Sequence, residues 1–259
     1  KKVPSFGKSF ICIADKINRE LIKNIKNKNF YTYGKNLKSN FLIKNIFQKK
    51  EMTRFDLAVN LPNKKKQLIK NIKIPLIGIH NIRNSVAAAA VALTVGINIK
   101  DIKDGLLRFK GVQRRFNKIF KFNDVSFYDD YAHHPTEIRM VLDGVRKAFK
   151  GYEKVCVFQP HRISRLRDLR REFSFSFYNA DVVILCPVYV AGEKMKLGFS
   201  YLKFAEEIIK NSKVKLFLVK DNIQLAKFIK KNIYGKKIVI GMGAGTISNW
   251  MRKLPELMR

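Results

Sequence analysis

The amino-acid sequence predicts an α/β fold, with a mostly parallel sheet in its second half. Three observations support this fold class. Short apolar runs alternate with longer helical stretches after residue 117, which is the pattern of βαβ units. A proline, Pro135, stands where one of these helices should begin, and proline suits the first turn of a helix. Hydrophobic residues make up 46% of the 259 residues, which is enough for a buried core.

The second half alternates regularly between the two kinds of segment. The predicted strands are 124–128, 154–158, 181–185, 215–219 and 237–240. The predicted helices are 135–149, 166–177, 201–209, 223–233 and 246–257. Connections of this kind place helices on both faces of a parallel sheet, and ligands then bind beyond the carboxyl ends of its strands.

The first half is less regular and meets the second near residues 110–117. An apolar run ends at Asp15 and an amphipathic stretch follows over 16–25; strand-like segments are 30–34, 41–47 and 55–61, and the segment IPLIGIHN (74–81) is expected to end a strand. Lysines 64–66 are expected at an exposed hairpin tip. Asn81 is placed to cap an alanine-rich helix over 82–95 that stops at Gly96, and a short helix is expected over 101–109.

The net charge of +33 suggests a partner such as nucleic acid. However, the 53 basic residues are 38 Lys and 15 Arg, and they are spread along the whole chain. Dedicated nucleic-acid binders more often carry arginine clusters interleaved with aromatic residues. We therefore attribute the charge mainly to a lysine-rich, A+T-biased background and keep nucleic-acid binding as the alternative.

Cysteine usage and hydropathy point to the cytoplasm. The three cysteines stand singly in apolar runs, without the spacing of a zinc site or of a disulfide framework. They are expected to be small buried side chains in a reducing compartment. No apolar run approaches about 18 residues, so no membrane-spanning helix is predicted.

Histidines cluster in the loops that follow the first two predicted strands of the second half. His133 and His134 follow the first strand, and His161 follows the second. This clustering at one sheet edge predicts a polar site for an anionic substrate. Simpler interpretations remain open: His134 could brace the loop, and Asp129 or Asp130 could cap a turn.

Arginines accompany these histidines. Arg162 and Arg165, near the start of a helix, fit the binding of a carboxylate or phosphate, whereas Arg167 and Arg170 fit a solvated helix face. Two adjacent arginines in the segment 111–116 suit a hinge that closes over phosphate or, alternatively, a solvated linker. The segment GMGAGT is not a dinucleotide fingerprint, because Thr replaces its third glycine; we expect a close-packed strand-to-helix turn.

Six segments, taken together and in order, resemble the C-terminal part of the Mur ligases. They are IGIHNIRNSVAAAAVA, GVQRRF, DDYAHHPTEI, FQPHRISR, NADVVILCPVYVAGE and GMGAGTIS. The resemblance covers essentially the whole chain. It implies that residues 1–113 are part of a central, P-loop-type ATP-binding domain and that residues 114–259 form a C-terminal Rossmann-like ligase domain.

The resemblance also implies an activity. It is that of an ATP- and Mg²⁺-dependent amide ligase of peptidoglycan precursor synthesis, which joins L-alanine to UDP-N-acetylmuramate through an acyl phosphate. The alternatives to an active ligase are the basic nucleic-acid-binding module and a degenerate ligase remnant. No membrane partner is implied.

The matching positions imply roles for individual residues. On the nucleotide side these are His80, Asn81 and Asn84 near the adenine, Arg115 at the phosphates and Asp130 at the ribose. On the muramoyl and alanine side these are Tyr131, His133, His161, Arg162 and Arg165. Arg115 and Arg162 supply fixed positive charge for phosphoryl transfer and the acyl-phosphate intermediate, and His133 is the candidate general base.

The chain departs from the family pattern in one important respect. It contains no GxxxxGK[ST] loop. We expect this loop, the magnesium ligands and a uridine-binding N-terminal domain to lie upstream of residue 1. The chain alone is then expected neither to hydrolyse ATP nor to form the amide bond.

Overall fold

The computed structural model describes residue 4 and residues 7–25, 29–193 and 200–259. The chain divides into two compact units, Lys1–Lys110 and Gly111–Arg259, called unit 1 and unit 2 below. No helix among the described residues is long and apolar enough to cross a membrane.

Unit 1 is a five-stranded sheet with helices. Its elements are β1 (Ser9–Cys12), α1 (Lys16–Lys23), β2 (Phe30–Gly34), β3 (Phe41–Lys49), β4 (Met52–Val59), β5 (Gln67–Ile74), α2 (Ile79–Thr94) and α3 (Ile99–Arg108). The strands follow chain order; β1 to β3 are parallel, and β3 to β5 are antiparallel. Strand residues such as Phe41, Leu57 and Ile74 share a buried core with Ile82 and Val86 of α2. The lysines at 64–66 are exposed in the β4–β5 turn, as predicted.

The start of α2 differs from the prediction. Asn81 was expected to cap a helix beginning at residue 82, but the helix begins at Ile79 and its N-cap is Gly78. Gly78 has φ 92°, a conformation that glycine adopts without strain. Asn81 lies in the first turn, where its amide donates a hydrogen bond to the carbonyl of Ile77 at 2.7 Å. Its side chain thus ties the helix back to the preceding segment instead of capping it.

Unit 2 is a six-stranded sheet between two layers of helices. Its strands are β6 (Asn117–Phe122), β7 (Val125–Asp130), β8 (Glu153–Phe158), β9 (Val182–Leu185), β10 (Lys215–Leu218) and β11 (Lys237–Met242). Its helices are α4 (Pro135–Ala148), α5 (Ile163–Asp168), α6 (Arg170–Ser174), α7 (Tyr201–Ser212), α8 (Asn222–Asn232) and α9 (Ile247–Leu257). The order is β10-β9-β8-β11-β7-β6, and every neighbouring pair except β6–β7 is parallel.

Both faces of this sheet are buried, as predicted. On one face, residues such as Val155 and Val239 pack with Leu225 of α8 and Met251 of α9. On the other face, the ring of Phe158 lies 5.8 Å from that of Phe173 in α6. This coverage of both faces is typical of parallel sheets.

Three details of unit 2 correct the sequence interpretation. Strand β6 was not expected. The helix predicted over 166–177 is two short helices that meet at Leu169, whose ψ of 25° interrupts the first. Asp129 and Asp130 were expected in a loop but end strand β7, because Asp130 still pairs with Met242 of β11.

Candidate active site

The carboxyl ends of four strands of unit 2 lie at one level. Met242 pairs with Asp130 on one side and with Phe158 on the other, and Phe158 pairs with Leu185. The loops that follow β7, β8, β9 and β11 therefore leave the sheet along one edge. In open α/β sheets this edge is where ligands bind.

Four aromatic rings form a continuous row along this edge. Tyr131 lies 5.1 Å from His133, His133 lies 5.7 Å from His161, and His161 lies 5.5 Å from Tyr189, measured between ring centroids. The row joins the loops after β7, β8 and β9. The sequence placed the first three rings at the site but assigned no role to Tyr189.

The hydrogen bonds of His133 determine which of its nitrogens can accept a proton. Its Nδ1 lies 2.9 Å from the carbonyl oxygen of Tyr131. A carbonyl only accepts, so Nδ1 carries the hydrogen and Nε2 of the neutral ring carries the lone pair. The side chain is 19% exposed, with Glu137 Oε2 at 3.5 Å from Nδ1. His133 is therefore built to offer Nε2 as a proton acceptor.

His161 has the opposite arrangement. Arg165 Nη1 lies 3.4 Å from its Nδ1, and a guanidinium can only donate, so Nδ1 accepts and Nε2 of the neutral ring carries the hydrogen. Burial, followed by the positive charge of Arg165, lowers the pKa of His161 below its usual 6.5. The ring is thus neutral near pH 7 and presents a donor beside the acceptor of His133.

The side chain of Arg162 lies at the surface next to this row. Its backbone has φ 68°, and its N–H donates to the carbonyl of Tyr189 at 2.9 Å. Glu193 accepts hydrogen bonds from the backbone N–H and hydroxyl of Ser164, which hold the pKa of its carboxyl below the usual range. Together with half-buried Arg165, Arg162 makes this end of the row cationic.

Helix α4 begins at the same edge, and His134 starts it. Its Nδ1 accepts from the N–H of Thr136 at 3.3 Å, while Glu137 accepts from the N–H of His134 at 3.2 Å. This reciprocal pair is a capping box. The interpretation of His134 as a brace for the loop is confirmed.

Asp130 is buried beneath the row and is only 2% exposed. Its two oxygens accept hydrogen bonds from the backbone N–H groups of Phe116 and Ala132, at 2.8 and 2.7 Å. Burial raises the pKa of Asp130 to about 7, outweighing the opposing effects of those donors and of Arg115. The carboxyl therefore fastens residues 116 and 132 to the end of β7, and its contact with a ribose stays a prediction.

We expect unit 2 to lose stability as the pH rises because of Asp130. The unfolded carboxyl ionises near 3.8, whereas the folded one holds its proton to about 7. Its contribution to the free energy of unfolding is thus fully present below pH 3.8 and is lost as the pH rises to about 7, by up to about 1.4 kcal/mol per pH unit. Urea unfolding followed by Trp250, the single tryptophan, would measure this slope between pH 5 and 8.

The matched variants for this measurement are Asp130→Asn and Asp143→Asn. The first should flatten the pH slope, because asparagine does not titrate. The second removes a partly exposed carboxylate paired with Lys147 and should leave the slope unchanged. Identical slopes in the Asp130→Asn variant and the wild type would contradict the assignment.

The segment that leads into β6 is anchored by Arg114, one of the two adjacent arginines that the sequence suggested for a hinge over phosphate or a solvated linker. Arg114 Nη2 donates to the carbonyl of Gly243 at 2.6 Å, and the guanidinium lies 4.7 Å from the ring centroid of Tyr131. Its Nε lies 3.8 Å from Asp129 Oδ2. Arg115, by contrast, is exposed and forms no salt bridge within the described residues. Its guanidinium is therefore the one left available for a ligand.

Asp129 is the buried carboxylate that faces Arg114. It is fully buried, and its Oδ2 accepts from the hydroxyl of Ser248 at 2.5 Å, with Arg252 Nη2 at 3.9 Å. One carboxylate thus links β7 to helix α9 and faces Arg114. These residues support the edge from within unit 2.

The glycine-rich segment after β11 is a close-packed turn, as predicted. A Cβ on Gly243 would lie 2.6 Å from the carbonyl oxygen of Gln159, and one on Gly245 would lie 2.6 Å from the ring of Tyr189. The Gln159 side chain accepts from the N–H of Ile247 at 3.0 Å. The glycines therefore allow the β8 and β9 loops to pack against this turn.

The three nucleotide-side positions of unit 1 share the first turns of α2. His80 and Asn84 are four residues apart and so lie on one helix face, with His80 half-buried and Asn84 exposed. Asn81 is half-buried and bonded to Ile77. Their proposed contacts with adenine stay predictions. Across the described parts of both units, no three His, Cys, Asp or Glu side chains are grouped as metal ligands would be.

Comparison with known proteins agrees with this architecture. Residues 1–92 match the Mur ligase middle domain, and residues 114–245 match the Mur ligase, glutamate ligase domain. The chain is 68% identical over 257 residues to the UDP-N-acetylmuramate–L-alanine ligase of Pelagibacter ubique, covering 99% of the chain and 55% of the relative. It spans about half the length of the curated relatives it matches.

Two solved structures show the same fold. The UDP-N-acetylmuramate-alanine ligase MurC of Thermotoga maritima superposes with a TM-score of 0.70 at 24% identity, over 87% of this chain and 47% of that one. A MurF ligase of T. maritima, solved in complex with ADP, gives 0.69 at 18% identity, over 97% and 53%. With both domains matched along the chain, the protein belongs to the Mur ligase family.

Proposed function

We propose that this chain is the ATP-using and amino-acid-accepting part of a ligase that joins L-alanine to UDP-N-acetylmuramate. The observation that carries the proposal is the row of rings flanked by Arg162 and Arg165 at the carboxyl edge of unit 2. The 68% identity to the Pelagibacter ligase, whose name states this substrate pair, supports the choice of substrates.

The reaction would proceed in two steps. An oxygen of the muramate carboxylate attacks the γ-phosphorus of ATP, which forms an acyl phosphate and releases ADP. The amine of L-alanine then attacks the acyl carbon, and the tetrahedral intermediate collapses to the amide and inorganic phosphate. Bound Mg²⁺ would neutralise charge on the phosphate oxygens. The described residues contain no group of three His, Cys, Asp or Glu side chains placed to hold it.

The residues of unit 2 fit the second step. Nε2 of His133 can accept the proton that the alanine ammonium must lose before it attacks. Nε2–H of His161 can donate to an oxygen that gains negative charge. Arg162 and Arg165 would hold the alanine carboxylate, for which the fork geometry of a guanidinium is suited. Tyr131 lies at the other end of the row of rings.

Residues of the nucleotide side are assigned within each unit separately. Arg115, exposed and without a salt bridge in the described chain, is assigned to the phosphates of ATP. His80, Asn81 and Asn84 of α2 are assigned to the adenine. The solved MurF structure with ADP supports a nucleotide site in proteins of this fold.

A chimera tests the proposal directly. The upstream part of the Pelagibacter ligase, which this chain does not match, would be fused in register ahead of it. We expect phosphate release that requires ATP, L-alanine and UDP-N-acetylmuramate together. The complete Pelagibacter enzyme is the positive control. A soluble, folded chimera that releases no phosphate would contradict the proposal and favour the degenerate remnant.

A further inference from the structure

Glu193 places a carboxylate beside the cationic end of the row, yet it is not paired with Arg162. We propose that Ser164 and Glu193 form a positioning pair that keeps the guanidinium of Arg162 free for the carboxylate of L-alanine. This inference rests on the proposed function for the identity of the ligand. It adds two residues to which the sequence reasoning assigned no role.

Ser164 donates a hydrogen bond to each oxygen of Glu193. The backbone N–H of Ser164 donates to Oε2 at 3.0 Å, and its hydroxyl donates to Oε1 at 2.5 Å. Both bonds are made to an ionised carboxylate, so each is stronger than a bond between neutral groups, and the hydroxyl bond is also short. Glu193 is thereby held against the first turn of α5.

Arg162 is held by its backbone, while its side chain stays exposed. Its backbone is held in the left-handed region at φ 68° by the bond to Tyr189, so the direction of its side chain is set by the loop after β9. The guanidinium is exposed and forms no salt bridge with any described residue. The positive charge of Arg162 nevertheless interacts with Glu193, because it is among the causes that lower the pKa of that carboxyl. The two charges are near each other without being bonded.

Removing the hydroxyl of Ser164 should change the partner of Glu193. In a Ser164→Ala variant, Oε1 of Glu193 loses its donor while Oε2 keeps the backbone N–H. The freed oxygen then has Arg162 as a nearby cationic partner. An ion pair between them would compete with the substrate carboxylate for the same guanidinium.

A merely structural role for Ser164 predicts a different result. If the hydroxyl only stabilises the start of α5, Ser164→Ala should raise the KM for L-alanine whether or not position 193 carries a charge. If the hydroxyl restrains Glu193, replacing Glu193 by the neutral glutamine should return the KM of the Ser164→Ala variant to the wild-type value. The double variant therefore separates the two roles.

The experiment uses four versions of the ligation-competent chimera: wild type, Ser164→Ala, Glu193→Gln and the double variant. We expect Ser164→Ala to raise the KM for L-alanine about 3- to 5-fold, the upper scale of one solvent-accessible ion pair, with kcat changed less than about 2-fold. Glu193→Gln alone and the double variant should have a KM within about 2-fold of wild type. Ser200→Ala, which removes the serine cap of α7, is the control and should leave KM unchanged.

A second readout does not depend on ligation. Crystal structures of the chain with and without the Ser164→Ala change should show Glu193 within 4 Å of the Arg162 guanidinium in the variant alone. An unchanged separation, or a raised KM that persists in the double variant, would overturn the inference. If the wild-type chimera does not ligate, the proposed function fails, and the crystal structures still decide whether Ser164 restrains Glu193.

Discussion

Replacing Arg162 by alanine will lower kcat/KM for L-alanine about 100-fold in the ligation-competent chimera. The side chain is exposed at the carboxyl edge and has no salt bridge in the described chain, so it is free to hold an anion. A charge-assisted bidentate contact with a carboxylate contributes about 3 kcal/mol, which corresponds to this loss. Steady-state kinetics with L-alanine varied at saturating ATP and UDP-N-acetylmuramate would measure it.

Arg167 provides the matched control on the same helix. Its side chain is 61% exposed and pairs with the adjacent Asp168. Arg167→Ala should leave kcat/KM within about 2-fold of wild type, as expected for a solvated ion pair. Equal losses in the two variants, or wild-type kinetics in Arg162→Ala, would remove Arg162 from the site.

Replacing Gly243 by alanine will destabilise unit 2 by about 2–4 kcal/mol. This glycine has φ 148°, and an added Cβ would lie 2.6 Å from the backbone oxygen of Gln159, which cannot move without shifting the end of β8. Backbone strain and overpacking of this kind are among the mechanisms that give large losses. Urea unfolding followed by Trp250 fluorescence and by circular dichroism would measure the change.

Gly105 is the control of opposite sign. It lies inside helix α3, and a Cβ at this position would meet nothing within 4 Å. Gly105→Ala should raise the stability of unit 1 by about 0.5–1 kcal/mol, because alanine loses less conformational entropy in a helix. If Gly243→Ala were equally neutral or stabilising, the close packing of the turn would not constrain the sequence.

Local patterns in the sequence predicted the parallel part of the sheet and much of the site. The alternation of apolar runs and helical stretches is a short-range signal, and the rule on strand ends then brought His133, His161 and Arg165 to one edge. The structure does place these three side chains together. Such residues could be found because they lie in, or just after, the short segments that follow β7 and β8.

Contacts between distant segments could not be found in this way. Tyr189 and Glu193 accept hydrogen bonds from the backbone of Arg162 and Ser164, about 30 residues earlier, and the bond to Ser164 ties Glu193 to the first turn of α5. Arg114 reaches the carbonyl of Gly243 across 129 positions. No periodicity or residue spacing in the sequence predicts these contacts.

Strand β6 was missed for a different reason. Its residues alternate only weakly between buried and exposed positions, so they do not resemble a buried parallel strand. The usable signal was the dipeptide Asn123-Asp124, where both residues have positive φ and close a two-residue hairpin onto β7. Asparagine and aspartate tolerate that conformation better than most residues.

The antiparallel direction of β6 decides where the chain enters unit 2. Asn117, its first residue, pairs with Asp129 near the last residue of β7, so the polypeptide arrives at the same rim from which the reactive loops leave. Six residues of strand span about 20 Å. Had this strand run parallel to the others, Arg114 and Arg115 would have been delivered to the opposite rim, out of reach of the histidines. The hairpin between β6 and β7 therefore brings residues 114–116 to the edge that carries the candidate site.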